Sequence, residues 1–152
     1  MARTISRDVI PLLATTAAKP IKLVCIGIGT HEKSIEFAKH VNFPKDKLYA
    51  DPDNAVYDKL ELVKSSPLQL LTDQRTPLSI LKRYSDGRGT DLNEALSNWK
   101  VIIPPKLEQG FQQGGAYVFD GVNTLYGRKD PATGDHADIN LLLEYAVKNA
   151  NK

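Results

Sequence analysis

Apolar positions along the chain recur at two spacings, and these mark out its elements. Ile5, Val9, Leu12 and Leu13 fall about one helical turn apart and predict an amphipathic helix over Thr4 to Thr16, strained by Pro11, which removes a backbone donor. Ile21 to Ile28 is a short, mostly apolar run ending at Gly29, the pattern of a strand buried on both faces of an α/β sheet. Thr30 can cap a helix over His31 to Val41, with Ile35, Ala38 and Val41 facing inward. Lys47 to Ala50 reads as a short edge strand. Asp51 then caps, and Pro52 opens, a helix carrying Val56, Tyr57, Leu60 and Val63.

In the second half, one helix is predicted from Thr76-Pro77 through Leu78, Leu81 and Tyr84, and another after Gly89 through Leu92, Ala95, Leu96 and Trp99. Ile103-Pro104-Pro105-Lys106 cannot lie inside a helix, so Lys100 to Gly115 is expected to be an extended connection. Ala116 to Asp120, the turn Gly121-Val122-Asn123, and Thr124 to Arg128 have the length and turn chemistry of an antiparallel hairpin. Ile139, Leu142, Leu143, Ala146 and Val147 define a C-terminal helix that Asp138 can cap. The order of elements places the chain in the α/β class.

Composition narrows the partners. At 152 residues the chain is sized for one domain over 1–152, and 41% hydrophobic against 25% charged residues is the balance of a folded core. The longest apolar runs fall far short of the roughly 20 residues that span a bilayer. Twenty Lys and Arg against 18 Asp and Glu are scattered along the chain, leaving no basic footprint for nucleic acid. The single cysteine, Cys25, can form neither an internal disulfide nor a thiolate metal site, which fits a reducing compartment. Arg, Ser and Thr near the N-terminus raise the question of an organelle transit segment, against which Asp8 and the helical spacing argue.

Candidate chemistry is sparse. Gly27-Ile28-Gly29-Thr30-His31-Glu32 starts like a dinucleotide fingerprint, but Glu32 stands where the third glycine would, and its carboxylate would repel a pyrophosphate. A tight strand-to-helix turn accounts for the glycines. Cys25 lies inside the apolar run, where burial keeps a thiol protonated, so it reads as a core residue. His31, His40 and His136 have no metal-site spacing, and Asp135-His136-Ala137-Asp138 reads as a solvated loop with a helix cap. Asp51-Pro52-Asp53 is explained by a helix start. No nucleophile elbow surrounds any serine. No catalytic residue, metal ligand or cofactor is assigned. A small molecule, if bound, is expected near Thr30, His31, Gly114 and Gly115, at the carboxyl ends of strands and where glycine lets a ligand approach the backbone.

Five blocks carry a likeness. Ile5-Ser6-Arg7-Asp8-Val9-Ile10-Pro11, Lys22 to Thr30, Leu48 to Tyr57, Gln112 to Gly121, and Lys129-Asp130-Pro131-Ala132-Thr133-Gly134-Asp135-His136-Ala137 together resemble the peroxiredoxin-like (AhpC/TSA-type) antioxidant family, in its plant and algal plastid-type branch. The resemblance implies a thioredoxin-like α/β fold. It also implies a strand and a cysteine motif, often C-x-x-C, just before the helix that begins this sequence, where the helix dipole would lower a thiol pKa. That first strand and redox motif are absent here, so the fold is expected to be truncated at the N-terminus. Gln113-Gly114-Gly115 stands where other peroxiredoxins and thioredoxins place an arginine or a cis-proline.

The resemblance leaves two expectations. One is a thiol oxidoreductase of the antioxidant type, without thiol activity in this chain because the motif cysteines are missing. The other is a non-catalytic interaction or structural subunit of a larger plastid assembly, possibly thylakoid. A protein partner, a chloroplast location or, failing that, a cytoplasmic one follow from these. In this fold the absent strand lies between Ile21 to Ile28 and Ala116 to Asp120. Those two are expected to pair directly in a free monomer, or to receive a strand from another chain.

Overall fold

The computed structural model describes residues 1–16, 18–66, 81, 85 and 106–151. The N-terminal helix, α1, starts earlier than its apolar spacing indicated and runs as three consecutive pieces, Ala2–Thr4, a π-helical Ile5–Val9, and Ile10–Thr16. Pro11 explains the middle piece. It offers no N–H to the carbonyl of Arg7, and the helix absorbs the mismatch one turn earlier by a wider loop in which the Ile10 N–H reaches the Ile5 carbonyl. Val9 is the buried residue of that segment, and the Ser6 hydroxyl donates to the Asn42 carbonyl at 2.6 Å.

Strand β1 is Cys25–Ile28, half the length of the apolar run Ile21 to Ile28. Lys22 and Val24 are exposed, so the preceding residues have no second layer to pair with and stay outside the ladder. Gly29, at φ +122°, turns the chain into helix α2, His31–Val41, and the Thr30 hydroxyl accepts from the Lys33 N–H at 3.4 Å. A 3₁₀ turn, Lys45–Lys47, leads into β2, Leu48–Asp51, one residue beyond the expected edge strand. β1 and β2 are parallel, Cys25 opposite Leu48 and Ile28 opposite Asp51.

Helix α3, Ala55–Lys59, is a single turn and does not reach Val63. Its start is governed from a distance: the buried Asp51 carboxylate accepts from the N–H groups of Ala55 and Val56 at 2.9 Å each and of Tyr57 at 3.4 Å. Pro52 therefore lies in the turn before the helix and not in its first turn. The chain then goes to Leu62–Ser65, which meets Phe111–Gln113 through a bridge of Lys64 with Gln112 and through Gln113 N–H to Val63 O at 2.8 Å.

The expected helices from Thr76 and after Gly89 lie outside the described residues, apart from Leu81 and Ser85, both helical. The expected extended connection Lys100 to Gly115 is corrected in its described part, where Leu107–Phe111 is a 3₁₀ helix. Prolines 104 and 105 stop short of that stretch, so nothing there forbids a helical turn. Gln109 anchors it, donating from Nε2 to Pro52 O and to Asn54 Oδ1, both at 2.8 Å.

The hairpin appears where its turn chemistry placed it, slightly longer at both ends. β3 is Gly115–Asp120 and β4 is Asn123–Lys129, antiparallel, with Gly121 at φ +57° and an irregularity between Val118 and Phe119. Helix α4, Ile139–Ala150, is capped by Asp138, whose Oδ1 accepts from Asn140 N–H at 2.8 Å, and it packs on the hairpin through Tyr145 and Tyr126, ring centres 5.3 Å apart.

The strands form two pairs instead of one continuous sheet. β1 bonds to β2 and β3 to β4, and among the described residues no backbone hydrogen bond joins β1 to β3. Direct closure of the gap between them is therefore not what the structure adopts. All four residues of β1 are only half-buried, so water can serve the polar groups that a neighbouring strand would otherwise have to satisfy. Among the described residues the buried apolar ones, Val9, Ala38, Phe43, Leu62, Ala132 and Ala137, are mostly small. No helix among the described residues is long and apolar enough to cross a membrane.

Candidate functional site

A buried polar arrangement that ends in an ionisable pair lies where the chain enters β3 and leaves β4. Gln113 and Asp130 are buried at 6% and 5% exposure, and the Asp130 N–H donates to the Gly114 carbonyl at 2.9 Å, extending the hairpin ladder by one rung. Space is tight here: a Cβ on Gly114 would stand 3.2 Å from Asp130 Oδ2, and one on Gly115 only 2.8 Å from the Arg128 carbonyl, closer than a real Cβ comes. The loop after Asp130 folds back on itself. Pro131, a hydrogen bond from Asp135 N–H to Ala132 O at 3.1 Å, and Gly134 at φ +84° make the turn, which returns His136 to Asp130.

There, His136 Nδ1 lies 2.8 Å from Asp130 Oδ2, with the carboxylate side chain 7% exposed and the imidazole 34% exposed. The other carboxylate oxygen, Asp130 Oδ1, is buried without a hydrogen-bond partner among the described residues, as are Tyr117 Oη and Gln112 Oε1. Two more contacts brace the loop. Arg128 Nη2 meets Asp135 Oδ1 at 2.7 Å, a bond that raises the Arg128 pKa, and the Gln113 amide lies 3.4 Å from Thr133 Oγ1.

On the β1 side, the Tyr57 hydroxyl donates to the Ile26 carbonyl at 2.9 Å. Burial, with smaller electrostatic contributions from Cys25, Asp51 and Asp130, pushes Tyr57 up to about 12. At neutral pH it is a neutral donor bracing the strand. Cys25 is half-buried, and desolvation raises its thiol pKa. It lies inside β1 and not at a helix N-terminus, where the dipole would favour a thiolate.

Of the four residues expected to bind a ligand, Gly114 and Gly115 belong to this corner. Thr30 and His31 stand past the end of β1, Thr30 as a helix cap and His31 exposed, and among the described residues no hydrogen bond or ion pair joins them to the two glycines. No group of three potential metal ligands occurs among the described residues. The Asp130–His136 pair has no contiguous signature, unlike Asp135-His136-Ala137-Asp138. The available signal was Pro131 and Gly134 between Asp130 and His136, a turn that brings positions six apart together.

A parallel strand pair joined by a helix, followed by an antiparallel hairpin and a C-terminal helix, is a mixed α/β arrangement of thioredoxin-like type, with a glycine corner and a carboxylate–imidazole pair at the hairpin's open end. The chain belongs to the AhpC/TSA antioxidant enzyme family, whose model matches residues 7–131. Among curated proteins it is similar to "Thioredoxin-like protein AAED1, chloroplastic" of Arabidopsis thaliana, 31% identical over 131 residues, covering 84% of this chain and 49% of the relative. The chain thus spans about half the length of that relative. No solved structure matches it.

Proposed function

We infer that these 152 residues form a peroxiredoxin-like, thioredoxin-fold module that takes part in thiol redox chemistry without supplying the nucleophilic sulfur itself. The observation that carries this is Cys25, the single cysteine, which lies half-buried in β1 with its thiol pKa raised by desolvation. A peroxide-reducing thiol needs the opposite, a stabilised and accessible thiolate. The chloroplastic relative favours a plastid location. The experiment is peroxide consumption by the purified chain, with thioredoxin or glutathione as reductant. No turnover above background is expected. Turnover that disappears on Cys25→Ser overturns the reading.

A second reading, a non-catalytic interaction subunit of a larger plastid assembly, is favoured by one observation: β1 and β3 each have a strand on one side only among the described residues. Strand addition from a protein partner would occupy such an edge. Thr30, His31, Gly114 and Gly115 stay in both readings as the surface for a small ligand, with Gly114 and Gly115 the better placed.

A further inference from the structure

We propose that the hollow between α1 and residues 18–23 is a binding site for a free straight-chain alkanoate, with the hydrocarbon tail inside and the carboxylate at Lys19 and Lys22. The proposal is independent of the thiol-redox reading. The hollow lies before the amino ends of β1 and β2, whereas Thr30 and His31 stand past the carboxyl end of β1.

The walls select the tail. The hollow is half-open and has a volume of about 430 Å³, within the range of small-ligand sites. Ile10 and Leu13 of α1 line it together with Ile21 and Leu23 of the incoming segment, and all four are only half-buried. Ala14, Ala18 and Pro20 complete the apolar lining. Hydrocarbon laid against these side chains leaves water as they do, which is the driving force for filling the space. One wall is fixed from a distance: the Ala18 N–H donates to Asn151 Oδ1 at 2.7 Å, tying the segment to the end of α4. The space is therefore held by the fold and not by the segment alone.

The polar lining selects the head group. Among the described residues, the only side chains lining the hollow that are not aliphatic are Lys19, Lys22 and Lys47. Lys47 Nζ lies 2.9 Å from the exposed Asp46 carboxylate, but Lys19 and Lys22 form no ion pair among the described residues. Both are exposed, so each ammonium is carried on a flexible stem that can follow an anion at the mouth. No described carboxylate lines the hollow to repel that anion. The lining also has no aromatic ring to stack a base and no glycine to bring backbone N–H groups onto a phosphate. An aliphatic body with one terminal anion meets each of these conditions.

Calorimetric titration of the chain with alkanoates from hexanoate to tetradecanoate, each below its micellar concentration, tests the assignment. Affinity should rise about threefold to fourfold per added methylene and level off once the hollow is full. The alcohol of equal length should bind about threefold to tenfold more weakly, and the alkylammonium ion more weakly still. Lys19→Gln with Lys22→Gln should bring the alkanoate down to the level of the alcohol and leave the alcohol unchanged. Leu13→Asn should abolish binding of both. If that variant fails to fold, the methyl signals of Leu13, Ile21 and Leu23 in the parent chain locate the site, since they should shift with decanoate. No binding, equal affinity for alkanoate and alcohol, affinity still climbing at tetradecanoate, or shifts confined to methyls elsewhere overturns the proposal. So does association only with phosphatidylglycerol vesicles, which would make the lysines a membrane contact and leave the hollow without a ligand.

Discussion

At the scale of single residues, the closest steric constraint on a glycine among the described residues is at Gly115. An added methyl would sit 2.8 Å from the Arg128 carbonyl and 2.9 Å from Leu62 Cδ2, and a backbone carbonyl within a ladder cannot move aside cheaply. Gly115→Ala is expected to cost about 1 to 3 kcal/mol in denaturant titration. Gly27→Ala, whose Cβ would meet nothing within 4 Å, should cost little by comparison. Equal midpoints for the two variants would contradict this account. Tyr57 gives a pH prediction. Its folded-state pKa of about 12 lies above the ordinary value of about 10, so the native state keeps a proton that the unfolded chain loses first. The stabilisation is fully present below pH 10 and is lost as pH rises toward 12. Cys25, also raised, acts in the same direction and begins lower. Tyr57→Phe should flatten the fall in melting temperature across that alkaline window, and an unchanged slope would refute the assignment.

At the scale of elements, the decisive device is capping from outside. Helix α3 is too short to hold itself together, and the Asp51 carboxylate receives three of its first N–H groups from the end of β2. Asp51→Ala should cost about 2 kcal/mol, more than Asp138→Ala, which removes one exposed cap bond of a longer helix and should cost about 1 kcal/mol. Comparable losses would show that the three bonds add nothing over one. The legibility of elements follows the same physics. Thr30, Asp138 and the Gly121 turn act through their immediate sequence neighbours, and the sequence placed α2, α4 and the hairpin within a residue or two at most ends. The extents of β1, α3 and the 107–111 turn depend on what lies alongside them, and there the pattern misled. Gln109, reaching 55 positions back to Asn54, has no local signature at all. Within the site, the glycines were legible as permissive backbone. The Asp130–His136 pair was not, because its meeting depends on a turn and not on a periodicity.

At the scale of the whole molecule, the separation of the two strand pairs sets the behaviour. Every second residue of a strand points its N–H and carbonyl to one side, so half the backbone groups of β1 face away from β2, and one of its carbonyls, that of Ile26, is met by the Tyr57 hydroxyl. Buried, each unpaired group would cost about 1 to 3 kcal/mol. Half-exposed, they are hydrated at lower cost but left unprotected. Hydrogen exchange on the monomeric chain should therefore divide β1 by alternate residues, the amides directed at β2 slow and the others fast, with the same division along β3. A partner strand that sits between β1 and β3, as the family's fold implies, should slow the fast set on both together, since such a strand has two edges. Slowing confined to β3 would indicate simple extension of the hairpin, and uniform protection of β1 in the monomer would mean that its outer edge is already covered.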